Sequence, residues 1–315
     1  MPSRAPLASV NVSADDFSAL FEELCTWRRW GFDDERGALN LLTAERVAAA
    51  TRLVRDGITT TLSLPLNTQP AEHNPNPADH YMTALAAAIA DADGTHFNKD
   101  YVGADYHNDG HTHIDALSHV AYGGSLYNGK PEAAVTEGGA HIDSIQVLKD
   151  GLVGRGVLLD VPRARGVPWL EPGEHIFRED LEAAEGGQGV RVGQGDVLLV
   201  RTGHARRLDD LGPWDTPHAK AGLHPTALGF LAERDVAVLG SDGNSDTAPS
   251  STEGVAFPIH VLAITAMGIH LLDYLQFEDV REICQRTGRW EFLFVGAPLR
   301  IVGGTGSPLN PLAVF

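Results

Sequence analysis

Cysteine is nearly missing from this chain: 315 residues hold two, Cys25 and Cys284. Two thiols so far apart build neither a disulfide framework nor a thiolate metal cage, and they point to a reducing compartment rather than to secretion. Basic residues are scarce as well. With 24 Lys and Arg against 42 Asp and Glu, the formal charge is −18, a field that repels phosphates and argues against nucleic acid or an anionic membrane as partner. Long apolar runs are also absent: each is broken by Gly, Pro or His well short of the ~18 residues a membrane span needs. The opening MPSRAPLASVNVSADDF lacks the continuous apolar stretch of an export signal. The expectation is a soluble, cytoplasmic protein that acts on a small molecule. Hydrophobic residues make up 43% of the chain, enough to bury one large core.

The first part of the chain reads as helical. Apolar positions recur at helical spacing over 14–29 behind Ser13, a good N-cap, and a second helix starts at Thr43 and stops by Gly57. Next, ITTTLSLPL reads as a strand and the Pro- and Asn-rich TQPAEHNPNPADH as a loop. From 153 onward, short apolar runs (VGRGVLLDV, DVLLVRTG, VAVLGSD and FLFVGAPL) predict strands buried on both faces. They alternate with predicted helices at REDLEAAEGG, HPTALGFLAERD and HVLAITAMGIHLLDYL. Alternating strands and helices predict an α/β layered fold. No repeat or linker divides it, so residues 1–315 read as one domain with a helical N-terminal arm over 1–57.

The chemistry concentrates in YHNDGHTHIDALSH, residues 106–119, which holds four of the 14 histidines. On an extended strand His107, Asp109, His111, His113 and Asp115 share one face. At ~3.3 Å per residue, His113 and Asp115 lie roughly 7 Å apart and can converge on one ion, whereas a straight strand puts His107 roughly 26 Å from Asp115. The chain must bend for His107 to join them, and Gly110, free to adopt positive φ, is the expected bend. Imidazole and carboxylate without thiolate suit a catalytic zinc or manganese ion. His119 falls one turn beyond Asp115 if ALSH begins a helix, in place to act as a general base.

This segment resembles the H-x-G-T-H-x-D-x-x-x-H signature of the cyclase family of metal-dependent hydrolases, which includes bacterial kynurenine formamidase and isatin hydrolase. THIDALSH matches it directly. GVLLDV (156–161), GDVLLVRTG (195–203), GSDGNSD (240–246), FPIHVLAITAMGIHLLDYL (257–275) and APLRIVGGTGSPLNPLAVF (297–315) extend the resemblance. It implies a swivelling β/β/α fold with a mixed central sheet, and a divalent ion, Zn or Mn, that activates water against an amide, lactam or lactone. By the same resemblance His113 and Asp115 are ligands and His119 is the catalytic base. His260 and Asp273 fall near where binuclear members carry a further His and a Glu. The signature's first His falls on Asp109 and its glycine on His111, but longer members place that His six residues ahead, which selects His107. Asp109 and His111 then become outer-shell or substituting ligands.

Around this centre, substrate contacts are expected from Trp30 and Phe32 in WGFDDERGALN, from His73, from Tyr122 in YGGSLYNG, and from Asp242 and Asn244 in GSDGNSDTAPSS. His270 and Asp273 are expected on one helix. Two other readings use the same residues: a polyketide-type cyclase or dehydratase with the ion as Lewis acid, and a non-catalytic binding protein stabilised by a closed metal site. The uncharged tail PLNPLAVF needs cover from the sheet or from a neighbouring subunit, and family members form dimers or tetramers, so a homodimer or homotetramer is expected, with the Trp30–Asn40 segment approaching a metal site.

Overall fold

The runs buried on both faces form the middle of a nine-stranded mixed sheet. The computed structural model describes residues 11–86 and 94–315, so the first ten residues of the expected arm lie outside the described part. Among the described residues the strands of three or more residues are β1 (Thr59–Thr61), β2 (Asp79–Ala84), β3 (Lys99–Gly103), β4 (His113–Asp115), β5 (Leu152–Asp160), β6 (Val197–Arg201), β7 (Val238–Ser241), β8 (His270–Asp273), β9 (Glu291–Gly296), β10 (Gly306–Pro308) and β11 (Leu312–Val314). Strands β2 and β3 pair with each other as a separate hairpin; the other nine run in the order β1-β11-β9-β5-β6-β7-β8-β4-β10.

The four central strands, β5 to β8, are parallel, and every residue of β6, β7 and β8 is buried. The flanks are antiparallel. One short link shows how far the sheet curls. Strand β10 lies at one edge and β11 next to the other, yet only Leu309 to Pro311 separate them. Leu62, just past β1, donates its N–H to Pro311 and accepts one from Gln276, beyond β8. The two flanks therefore meet, and the tail is covered by its own sheet: β11 lies between β1 and β9, and Phe315 is fully buried against Phe292.

The helices include α1 (Ala14–Leu24), α2 (Ala44–Thr51), α3 (Arg178–Gln188), α4 (His204–Leu211), α5 (Leu228–Arg234) and α6 (Glu278–Thr287). Ser13 and Thr43 cap α1 and α2 through their hydroxyls, as the sequence predicts. The expected single helix over 260–275 is not formed. The chain makes a helical turn at Pro258–His260, a π-helical stretch at Val261–Ala266 and then strand β8. Apolar spacing does not separate a buried helix from a buried strand. Here Gly268, at φ +67°, ends the helical stretch, and β7 and β4 supply strand partners on both sides of β8. Both cysteines are free thiols. No helix among the described residues is long and apolar enough to cross a membrane.

The N-terminal arm folds back onto this region. Trp27 donates its indole N–H to the Thr265 carbonyl at 2.7 Å, and Ala38 donates its N–H to Gly268 at 2.8 Å. Gly37 sits at φ +55° so close to Gly268 that a Cβ would overlap its carbonyl. Gly37→Ala therefore carries about 1–2 kcal/mol for the left-handed backbone plus the clash. Gly57→Ala, at φ +68° in open space, carries the backbone cost alone. Thermal unfolding should show a clearly larger loss of Tm for Gly37→Ala; equal losses would mean that the close approach contributes nothing.

Candidate metal centre

Strand β4 is three residues long and entirely buried. Alternation sends His113 and Asp115 to one face and Ile114 to the other, into the core. Its antiparallel neighbours complete the setting, with Asp273 of β8 opposite His113 and Gly306 of β10 opposite Asp115. The expected long ligand strand does not extend back to His107: residues 107–112 fold through a turn at Asp109–Gly110. That fold brings His107 Nδ1 to 2.9 Å from Asp115 Oδ1. Gly110 is needed for a different reason than expected. It has no positive φ, but a Cβ there would run into the buried Asn74 side chain.

Two groups of ligand atoms meet at Asp115. One is His107, His113 and Asp115, and the other is Asp115, His260 and Asp273; within each, the atoms lie within 4.8 Å of one another. His113 Nε2 is 3.6 Å from Asp115 Oδ1, and His260 Nε2 is 3.6 Å from Asp115 Oδ2 and 3.3 Å from Asp273 Oδ2. Each imidazole has its other nitrogen tied off. His113 Nδ1 meets the His111 carbonyl at 2.8 Å, His260 Nδ1 meets Asp246 at 2.5 Å, and His107 Nε2 meets the Thr305 hydroxyl at 3.2 Å. Such outer partners fix which nitrogen is left to face the centre.

His119 reaches the same point from a tight turn, its N–H bonded to the Ala116 carbonyl, and not from the expected helix. Its ring stacks on His107, with centroids 4.0 Å apart and planes within 5°. Nε2 stands 3.9 Å from Asp115 Oδ1.

The electrostatics are those of a cation site. Burial alone would raise the pKa of Asp115, but His119, His107, His260 and His113 outweigh it and hold the carboxyl well below the usual range. Burial pushes Asp273 up against the pull of His260, and pushes His119 down to about 4. Both oxygens of Asp115, Oδ1 of Asp273 and Nδ1 of His107 are buried without a hydrogen bond. His107 and Asp115 are close enough to interact directly, and His260, whose charged form burial disfavours, is held well above its usual pKa by Asp115, Asp246 and Asp273. A divalent cation fits this set of imidazole and carboxylate donors, and unpaired burial of these groups would otherwise be costly.

The centre opens into a cavity of about 440 Å³ lined by Tyr122, Asn244, Phe257, Tyr274 and Asp109 among others. Two of the residues expected to touch substrate, Tyr122 and Asn244, line this cavity. Others do not. His111 lines a separate, larger cavity of about 710 Å³ beside Leu64 and Leu309, and it backs His113 through its carbonyl and not through its ring. His73 lines a third cavity, of about 370 Å³, with His204 and Asp109. The oxygens of Asp242 are occupied by the N–H groups of Thr202, Gly203 and His204 and by the Thr202 hydroxyl, so it caps the start of α4. Within the chain, Trp30 and Phe32 lie outside the metal cavity; Phe32 is exposed and Trp30 packs at the core's margin. His270 is buried in β8 and not paired with Asp273 on a helix surface. The sequence reading missed Asp246, Thr305, Phe257 and Lys220. Only Asp246 carried a signal, as the last acid of GSDGNSD.

The family model described as putative cyclase matches residues 60–246. A crystal structure described as a novel cyclase is 34% identical and superposes with a TM-score of 0.86, over 94% of this chain and 99% of its own. Isatin hydrolase A from Labrenzia aggregata, bound to benzyl benzoate, is 23% identical, with a TM-score of 0.59 over 87% and 98% of the two chains. The enzyme of that name from Ralstonia solanacearum is 24% identical, with a TM-score of 0.57 over 87% and 97%. These two likenesses establish the fold. No curated protein matches the sequence. A family model that spans more than half of the chain, together with a third of all residues shared with a cyclase structure along nearly the full length, places this chain in the cyclase family.

Proposed function

We propose that the chain is a metal-dependent hydrolase that opens an amide, lactam or lactone of a small cyclic or aromatic molecule. The observation that carries this reading is the convergence of buried imidazole and carboxylate groups on Asp115, with His119 beside them, at the floor of a cavity of about 440 Å³. That volume suits a compact ligand. His107, His113 and Asp115 would hold a zinc or manganese ion, and Asp115, His260 and Asp273 a second. Such an ion supplies a charge that polarises a carbonyl and lowers the pKa of water.

The protein's own groups do the rest. Burial keeps His119 neutral at neutral pH, so its ring can accept a proton from water and return it to the leaving nitrogen or oxygen. Stacking on His107 limits the ring's rotation. Asp246 holds His260 and Thr305 holds His107, so the donors keep their aim. Tyr122 and Phe257 line the mouth with apolar surface, and Asn244 offers a neutral polar contact.

His119→Ala should lower kcat at least about a hundredfold while metal content, read by atomic emission, stays near that of the parent. Loss of both together would make His119 a ligand. In the same assay His107→Ala should lose far more metal than Asp109→Asn; the reverse order would make Asp109 the ligand and remove His107 from the centre.

We also propose that the protein works in the cytoplasm as a homodimer or homotetramer. Support for the compartment comes from the two free thiols. Support for assembly comes from the β2–β3 hairpin, where Tyr81 stacked on Tyr101 on one face and Met82 and Val102 on the other are exposed, since exposed apolar surface of this kind marks contact faces. The approach of Trp30 and Phe32 to a metal site belongs to that assembly. Sedimentation equilibrium at micromolar concentration should show a dimer or larger; a fully active monomer would end the proposal.

A further inference from the structure

The wall of the metal cavity carries one carboxylate that the centre itself does not use. Asp109 lines the cavity beside Asn108 and Tyr274. Both of its oxygens lie 3.3 Å from Nζ of Lys220, and that nitrogen also donates to the Tyr274 hydroxyl at 3.0 Å. Lys220 is only 2% exposed, so the ammonium stands behind Asp109 and not in the cavity, while the Asp109 side chain keeps 12% of its surface open. The clamp is rigid for a backbone reason as well. Tyr274 is held at φ +51°, with its N–H on the Gly243 carbonyl and its own carbonyl taking the Thr112 hydroxyl. Left-handed backbone at a bulky residue persists only where the surroundings impose it, and such strain gathers at functional sites. Here it turns the Tyr274 phenol towards Lys220 while Asp273, one residue earlier, faces His260.

The chemistry of this wall is one-sided. An ionised carboxylate only accepts hydrogen bonds, with about four lone-pair sites on its two oxygens. Lys220, the donor that holds Asp109, does not line the metal cavity, whereas Asp109 borders both that cavity and the one beside His73 and His204. Acceptor capacity that Lys220 leaves unused is therefore open to a ligand in the metal cavity. Lys220 cancels its charge, so the wall attracts a neutral donor without adding a net field to a cavity that already contains Asp115 and Asp273. Burying an ammonium to position a carboxylate is a poor way to gain stability, which favours a recognition role.

We propose that Asp109 is the specificity-determining acceptor of the metal cavity, positioned by Lys220 and Tyr274, and that it takes a hydrogen bond from an N–H beside the substrate carbonyl. Within the reading of the chain as a hydrolase, on which this inference rests, the favoured substrates are secondary amides and N–H lactams. Lactones and N-alkylated amides, which offer no donor, are disfavoured. A charge-assisted hydrogen bond of this kind corresponds to roughly a ten- to hundredfold preference.

The test uses a rigid pair that differs only in the donor, isatin and N-methylisatin. Dissociation constants are measured by calorimetry on the zinc-loaded and on the chelator-treated protein, and kcat and KM are measured where turnover occurs. The variants are Asp109→Asn, whose carbonyl oxygen Lys220 would claim, and the double variant Asp109→Leu with Lys220→Met, which removes both charges together and so leaves neither buried alone. The parent should bind isatin roughly ten- to a hundredfold more tightly than its N-methyl form. Both variants should bring that ratio close to one and change KM more than kcat, with metal content unchanged. A parent without preference, variants that keep the parent's ratio, or no binding of either lactam at about millimolar concentration would each overturn the assignment. Binding with the expected preference but without turnover of any amide or lactam would support Asp109 and count against the hydrolase reading alone.

Discussion

Asp115 is a carboxylate with no exposed surface and no hydrogen bond to either oxygen, and the rest of the molecule is arranged around making that position tolerable. A lone charge there would cost several kcal/mol, and proteins normally avoid the cost by protonation, pairing or a metal ion. Protonation is blocked, since four imidazoles hold the group below its usual range. Pairing falls to the imidazoles around it: His107 stands 2.9 Å away, and His260, against burial, is held well above its usual pKa by Asp115, Asp246 and Asp273. Asp246, Thr305 and the His111 backbone fasten three of these rings from behind. A divalent cation among these groups would meet the same need.

Sequence logic recovered the centre wherever strand alternation governs it. His113 and Asp115 share a face because two residues of extended chain always do, and the excess distance to His107 correctly required a bend. The same logic failed where packing overrides spacing. The apolar run 260–275 fits a helix as well as a strand, and the choice falls to Gly268 and to the partners waiting on either side. Asp242 sits among the glycines and acids expected at a crevice, but its oxygens are spent on α4. Asp246, four residues on, is the one that reaches His260. Nothing in one sequence tells these two acids apart, because the difference lies in which backbone N–H groups surround each.

The chain's acidity also reads differently with the fold in hand. Much of the −18 belongs to the surface, but Asp115, Asp246 and Asp273 are buried together at one point, where they set a local potential that overall charge does not describe. Asp160 adds a further buried acid, matched by Arg201, which also holds Glu278 at the start of α6. That ion pair joins the ends of β5 and β6 to the helix over them, and so steadies the strand next to β7.

The link from Leu309 to Pro311, which carries the chain from one flank of the curled sheet to the other, has a kinetic meaning. Residues 107 to 119 and 246 to 273 are far apart in sequence and become neighbours only when β4 docks between β8 and β10. Bringing together groups separated by so much chain means loop closure with little local reward along the way, a topology that folds slowly. The groups around Asp115 are therefore not yet assembled in the nascent chain. A cation held by these groups would enter after the seam has shut, so that loading would follow folding and not template it.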